Sequence, residues 1–569
     1  MNLKGNPVSP GIAIGSLYIY KPFNPDVREC FSQPGMVEKN LKCFKGLKQA
    51  AENEMLDICV QLNDHPDKAL IFNAHIKILH DPAINEEIEE GIAEENWRLD
   101  WAIEKVYSKY IRLLKKARDL IIRERADDLT DVKKRLLRIL YKVDTCDLSV
   151  LSAPVIVAAH DLLPSDTATM DLEHVLAILT EVGGATSHSA IIARSGGIPA
   201  IVGITELLSQ ITPEQFAAVD ATTGEIIINP DAEDVKRFEQ AKEAFSRDFA
   251  DTISYLSAPP ITADGVHIDI GLNIASASED EFRNEAYTDF VGLFRTEFLF
   301  MGKSQLPGEE EQFEAYKKVL ISYAPRPVTL RTLDIGGDKT LACMELPKEE
   351  NPFLGNRALR LCFSKPEIFR TQLRAAFRAS IYGNLWLMLP MVGSMDDIRH
   401  AKEIIESVKA ELTSQSLSYA LNIKIGIMIE IPSIAVIADM TAAEVDFASI
   451  GTNDLCQYLT AVDRMNASIA SYYQNFHPAM FRLMGYVIRT FNEQGKPISV
   501  CGEMGGDPLA AAVLIGLGMR KLSMGSASIA PVKRMLSRLT ISKAVEAAER
   551  VQRLASSDDV KKYLKDFLI

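Results

Sequence analysis

From about residue 261 onward the chain repeats one pattern eight times: a short apolar run, then a helical stretch. The runs are IDIGLNI, FVGLFRTE, PVTLRTLD, LWLMLPMV, KIGIMIE, FASIGTND, PISVCGE and KLSMG. Near-continuous apolar runs suit strands buried on both faces, as in parallel sheets. Eight such strands alternating with helices predict a (β/α)8 barrel over 261–569. Several runs end in polar or reactive side chains: Asn273, Arg295, Arg331, Asp334, Glu430, Asn453, Asp454, Cys501 and Glu503. Barrel active sites are built at the C-terminal ends of the strands, so a functional site is expected there.

The first half is organised differently. Residues 1–20 carry short β-like runs, and strand-like runs return in APVIVAA, VLAILT, PAIVG and EIIIN. These predict an α/β domain built from 1–20 plus 145–230. Between them, 21–144 is dominated by a stretch rich in Lys, Glu, Leu and Ala and almost free of Gly, which predicts a bundle of four or five helices. Ile84, Ile88 and Ile92 fall on one helical face. Asn229-Pro230 is a helix start, followed by a linker helix over 231–260. The fold class is therefore α/β multidomain.

Composition narrows the function classes. The formal net charge of −15 disfavours nonspecific nucleic-acid binding and favours a partner with a basic face. No apolar stretch reaches about 18 residues, so no membrane insertion is expected. MNLKGNPVSPGIAIG has no secretory pattern, and a cytoplasmic protein is expected. The eight cysteines stand singly without a CxxC pair, against a disulfide framework or a structural zinc site.

Two regions point to chemistry. In GGATSHSAIIARSGGIPAIVG (183–203), His188 stands where a helix begins, with Thr186 or Ser187 as cap and Gly196-Gly197 as stop. A helix N-terminus suits an anion, so His188 is placed to carry a phosphoryl group. A lone histidine at a turn is more often simply structural. At the barrel mouth, Glu430 and Asp454 suit Mg²⁺, or a pair of acids neutralised by arginines, or a general base. Arg295, Arg331 and Arg464 supply forked donors for phosphate or carboxylate. Cys501 is a thiol at the active face that can protonate a carbon.

The phrases SPGIAIG, GGATSHSAIIARSGGIPAIVG, GLFRTEFLFM, RTLDIGGDK, NPFLGNRALR, GIMIEIPS, IGTNDLCQY, DRMN, HPAM and SVCGE occur in one order along nearly the whole chain. Together they resemble the enzyme I family of the bacterial phosphoenolpyruvate:sugar phosphotransferase system. The resemblance implies that His188 is phosphorylated at Nε2. It implies that Arg295, Arg331, Arg357, Asn453, Asp454 and Arg464 bind phosphoenolpyruvate. Glu430 and Asp454 would hold Mg²⁺, and Cys501 would be the proton donor. The phosphoryl group would pass to the phosphocarrier protein HPr, docked on the helical domain, where Glu86 to Glu95 form an acidic stretch. A homodimer through the barrel is also implied. The alternatives are an ATP-dependent pyruvate phosphate dikinase or phosphoenolpyruvate synthase, and a regulatory phosphorelay protein. The first 150 residues offer no phosphate-cradling glycine loop, which disfavours the first.

Overall fold

The computed structural model describes all residues except 24, 34, 63–65, 116–119, 144–147, 150, 185–186, 279, 302, 304, 337–343, 345, 348 and 569. The chain divides into two compact units, Met1–Phe249 and Ala250–Ile569.

The first unit is built on a sheet of strands β1 (Asn2–Lys4), β2 (Asn6–Ser9), β3 (Ile12–Tyr20), β4 (Val155–Ala159), β5 (Val175–Thr180), β6 (Ala200–Val202), β7 (Phe216–Asp220) and β8 (Glu225–Ile228). Their order is β1-β8-β7-β3-β4-β5-β6-β2. The middle of the sheet, β3 to β6, is parallel. Leu17, Ile156, Leu179 and Val219 pack on one face, and Val157, Ile178 and Ala200 on the other. β7 is not marked by a strong apolar run. Its FAAVD carries little intrinsic strand preference, and pairing with β3 and β8 on either side makes it a strand.

Between β3 and β4 the chain runs through five helices: α1 (Val37–Gln61), α2 (Pro66–Leu79), α3 (Pro82–Ala93), α4 (Leu99–Lys115) and α5 (Leu120–Tyr141). They share a core that includes Phe44, Met55, Ile88, Ile103 and Leu136. The Asp81 carboxylate caps α3 by accepting the Ile84 N–H at 3.1 Å, and Pro82 occupies the first turn. Ile84, Ile88 and Ile92 are all buried on that helix. Each such burial stabilises by about 1.5–3 kcal/mol.

Three short helices follow the parallel strands: α6 (Pro164–Thr169), α7 (His188–Gly196) and α8 (Leu207–Gln210). The start of α7 is fixed by Ser187, whose hydroxyl accepts the Ala190 N–H at 3.4 Å and donates to the Gly184 carbonyl at 2.9 Å. Gly197, at φ 65°, closes the helix in the left-handed conformation that glycine adopts without strain. His188 is the first residue of α7. Its side chain lies outside the described residues, as does Thr186. The boundary between the two units falls within α9 (Ala232–Ser254).

The second unit is a closed barrel of β9 (Asp269–Ile274), β10 (Phe290–Arg295), β11 (Pro327–Arg331), β12 (Asn384–Leu389), β13 (Lys424–Ile429), β14 (Phe447–Ile450), β15 (Ile498–Val500) and β16 (Lys521–Met524). Each of the eight apolar runs is one of these parallel strands. The ring closes where β16 pairs with β9, with Ser523 opposite Gly271. Side chains alternate between two cores. Along β12, Leu385, Leu387 and Leu389 join the large cluster that includes the surrounding helices. Met388 joins a separate cluster with Leu293, Met428, Phe447 and Cys501. This alternation follows from the two-residue period of a strand. Among the described residues no helix is long and apolar enough to cross a membrane.

Candidate active site

The C-terminal ends of the barrel strands converge on a buried network of opposite charges. Arg331, the last residue of β11, donates to the Glu297 carboxylate at 2.6 Å and pairs with Asp334 at 3.0 Å. Asp334 also accepts from Arg357 at 2.8 Å. Arg357 continues to Asp454 at 3.2 Å, and Asp454 pairs with Arg464 at 3.5 Å. Glu297, Arg331, Asp334, Arg357 and Asp454 are all buried, whereas Arg464 keeps a partly open side chain. The Arg357 and Arg464 guanidinium groups both lie 5.7 Å from the Phe353 ring centroid. An aromatic face between two cations helps to fix both.

Local backbone makes the close approach possible. Gly336 has φ +109°, and a Cβ there would meet the Arg357 Cβ at 2.5 Å. A Cβ on Gly502 would meet the Thr452 hydroxyl at 1.9 Å, so the turn after Cys501 needs a glycine. Met391, at φ 55°, turns its N–H onto Glu430 at 2.6 Å. A non-glycine residue in this region is strained, and the bond to a buried carboxylate helps to hold it there.

Glu430 follows β13 and is fully buried. Burial pushes its carboxyl from 4.5 up to about 8, with Asp454 and Asp334 adding to the rise and Arg331 and Arg357 opposing it. Its second oxygen, Oε2, has no hydrogen-bond partner among the described residues. A buried oxygen of this kind is costly unless something satisfies it. A hard divalent cation held by Glu430 and Asp454 fits the oxygen donors and the raised carboxyl.

Asn453 and Asp454 sit in the first turn of the helix Thr452–Thr460 that follows β14. The Asn453 amide oxygen accepts the Glu503 N–H at 3.4 Å, linking it to the end of β15. Cys501, just after β15, is 3% exposed and donates to the Ile450 carbonyl at 3.7 Å. Burial pushes its thiol up to about 11, so it stays protonated at neutral pH. Arg295, the last residue of β10, lies near enough for its charge to act on that thiol. The Asn273 amide donates to the Cys501 carbonyl at 2.9 Å.

Family models of PEP-utilising enzymes match the chain in three parts: the N-terminal domain over 4–125, the mobile domain over 151–224 and the PEP-binding domain over 251–541. A phosphoenolpyruvate-protein phosphotransferase of Bacillus sp. (strain S) is 40% identical over 565 residues, covering 99% of this chain and 97% of that protein. One from Bacillus subtilis (strain 168) is 40% identical over 570 residues, covering 99% of each. The chain belongs to the phosphoenolpyruvate-protein phosphotransferase family. The PEP-binding match spans the barrel whose mouth carries the charged network, and the mobile-domain match contains His188.

Of the residues singled out in the sequence, Arg331, Arg357, Asp454 and Arg464 meet in one network, whose charges act on the neighbouring Glu430, with Cys501, Arg295 and Asn453 at its edge. His188 lies in the other unit. Glu297 and Phe353 were not singled out, and Asp334 was marked only as the polar end of a run. Their importance comes from partners distant in sequence. A second acidic group, His267, Asp269 and Asp289, lies at the opposite ends of the strands and has potential ligand atoms within 4.8 Å of one another. There Asp269 pairs with Lys521 at 2.5 Å, and Asp289 accepts the Ile270 N–H at 2.8 Å.

Asp334 bridges two buried arginines, so its loss strands both. Asp334→Ala is expected to lower barrel stability by about 3–5 kcal/mol, the cost of removing one partner from a buried pair. Denaturant unfolding of the full chain checks this, and a change under about 1 kcal/mol would contradict the bridging role.

The raised Glu430 carboxyl sets a pH dependence. Between about 4.5 and 8 the folded protein holds a proton that the unfolded chain releases. The stability this contributes is complete below about 4.5 and is lost as pH rises through about 8. Without divalent cations, Tm is expected to fall across that window. A cation binds the ionised form, so the Tm gain from Mg²⁺ should be larger near pH 8 than near pH 6. Equal gains in thermal denaturation at the two pH values would contradict this.

Proposed function

We propose that the protein transfers the phosphoryl group of phosphoenolpyruvate to His188 and then to a histidine of the phosphocarrier protein HPr, releasing pyruvate. This is the first step of a sugar phosphotransferase system. The observation that carries the reading is the chain of buried arginines and carboxylates at the barrel mouth, where Glu430 presents an oxygen with no hydrogen-bond partner among the described residues. It is supported by relatives named for this reaction across nearly the full chain.

In this reading Arg295, Arg331, Arg357 and Arg464 bind and orient the phosphate and carboxylate of the substrate, as forked donors do. Asn453 and Asp454 complete the binding surface. Glu430 and Asp454 hold Mg²⁺, which when bound neutralises charge on the transferring phosphoryl group. His188 attacks phosphorus in line, and the pyruvate enolate departs. Cys501, kept as a thiol by burial, then donates its proton to the enolate carbon. Glu86, Glu87, Glu89, Glu90, Glu94 and Glu95, which belong to α3 or directly follow it, offer acidic surface to a basic carrier. The proposal extends to self-association through the barrel, where Val436 and Met440 are exposed apolar groups. A cytoplasmic location fits an intracellular substrate.

The binding half of the proposal is tested by calorimetric titration of the full chain with phosphoenolpyruvate. Binding is expected with Mg²⁺ and not with excess chelator. Equal binding in both conditions would remove the metal role of Glu430 and Asp454.

A further inference from the structure

Each pyruvate formed leaves the Cys501 sulfur without its proton, and the group must be recharged before the next turnover. The mouth is a poor source. Cys501 is already 3% exposed, and the proposed substrate site lies over the same strand ends. The barrel interior beneath Cys501 offers another route, because its apolar filling is interrupted by hydroxyl groups.

Ser499 lies two residues before Cys501 on the same strand end, so both side chains face the interior. Ser499 pairs in register with Ser449 of β14. Its hydroxyl donates to the Ser449 hydroxyl at 2.9 Å, and both serines are buried. Ser449 directly precedes Ile450, whose carbonyl accepts the Cys501 S–H at 3.7 Å, and its hydroxyl is close enough to favour the thiolate, against the rise caused by burial. Ser499 also lines a small cavity at the N-terminal floor of the barrel, together with Thr329, Trp386, Phe447 and Lys521. The cavity offers about 10 Å³ to a water centre, room for one water among polar partners. Beside it, Lys521 pairs with Asp269, and Asp269 lies 3.2 Å from the half-exposed His267 ring. The two hydroxyls therefore lie between the neighbourhood of the Cys501 sulfur and a floor that carries groups able to exchange protons with solvent.

We propose that Ser449 and Ser499 form a proton relay that recharges Cys501 from the floor of the barrel. The inference rests on the reading of Cys501 as the proton donor. The Cys501 S–H bond breaks as a C–H bond forms at the enolate carbon, and the enolate oxygen becomes the pyruvate carbonyl. The thiolate takes the Ser449 proton, Ser449 takes that of Ser499, and Ser499 takes one from a water in the cavity. The hydroxide left there is neutralised by one proton from solvent, so each pyruvate consumes one solvent proton.

The test uses the full chain with Mg²⁺, phosphoenolpyruvate and pyruvate, and needs no carrier. Two rates are compared: exchange of carbon label between pyruvate and phosphoenolpyruvate, and release of tritium from the pyruvate methyl group into water. In the unaltered protein, tritium release is expected to keep pace with carbon exchange. In Ser449→Ala and Ser499→Ala, carbon exchange should stay within about twofold. Tritium release should fall at least about tenfold, because the trapped hydrogen returns to the substrate instead of leaving through the floor. Ser499→Thr keeps a hydroxyl beside the cavity and should restore release. Unchanged release in both alanine variants would overturn the relay, as would a parallel fall of both rates. Cys501→Ala, run alongside, separates the underlying reading. Carbon exchange at the normal rate in that variant would show that another group is the donor, whatever the serines do.

Discussion

His188→Ala is expected to abolish phosphorylation of the protein by phosphoenolpyruvate while leaving phosphoenolpyruvate binding intact. The arginines, Glu430 and Asp454 all belong to Ala250–Ile569, whereas His188 opens a helix in Met1–Phe249. Removing the imidazole deletes the proposed nucleophile without altering a residue of the barrel network. Ser187 still caps the helix, so α7 should persist. Labelled phosphoenolpyruvate reads the first effect and calorimetry the second. Stable labelling of another histidine in the variant would overturn the assignment, and loss of binding would show that the two units are not functionally separable in this way.

Arg331→Met is the second large effect. The guanidinium is nearly buried between Glu297 and Asp334, aimed by both. Methionine keeps much of the volume but removes the charge proposed to meet the substrate. Transfer to His188 should slow by roughly 10²–10³-fold, the usual cost of deleting one preorganised donor. Glu297 also loses its cation while fully buried, so Tm should fall as well. Arg331→Lys should recover little, because a single ammonium cannot engage Glu297, Asp334 and the substrate in the same fork. Single-turnover rates with the three proteins decide this, and a lysine variant as fast as the native protein would contradict it.

The architecture was legible because buried parallel strands announce themselves. Every strand of β9 to β16 is a short apolar run, and the polar residues that end several of them point to the candidate site at the C-terminal face. β7 was not legible, since FAAVD becomes a strand through its neighbours. At the site, Arg331, Glu430 and Asp454 could be named from their places at strand ends. Their arrangement could not. Arg331 reaches Glu297 across 34 residues, and Arg357 reaches Asp454 across 97. Spacing carries no information about such pairings. The raised carboxyl of Glu430 is likewise a product of burial among other acids, which only the folded barrel creates. The Ser449–Ser499 bond spans 50 residues, and each serine alone is an ordinary polar residue inside an apolar run.

The most direct test of the central claim is to follow the phosphoryl group itself. The full chain is incubated with Mg²⁺ and phosphoenolpyruvate labelled in its phosphate, without nucleotide, and the labelled peptide is identified before and after HPr is added. The account predicts one label per chain on His188, acid-labile as a phosphohistidine is, with equal pyruvate release and passage of the label to a histidine of HPr. Label on a different residue, or labelling of His188 only when ATP or AMP is supplied, would contradict it.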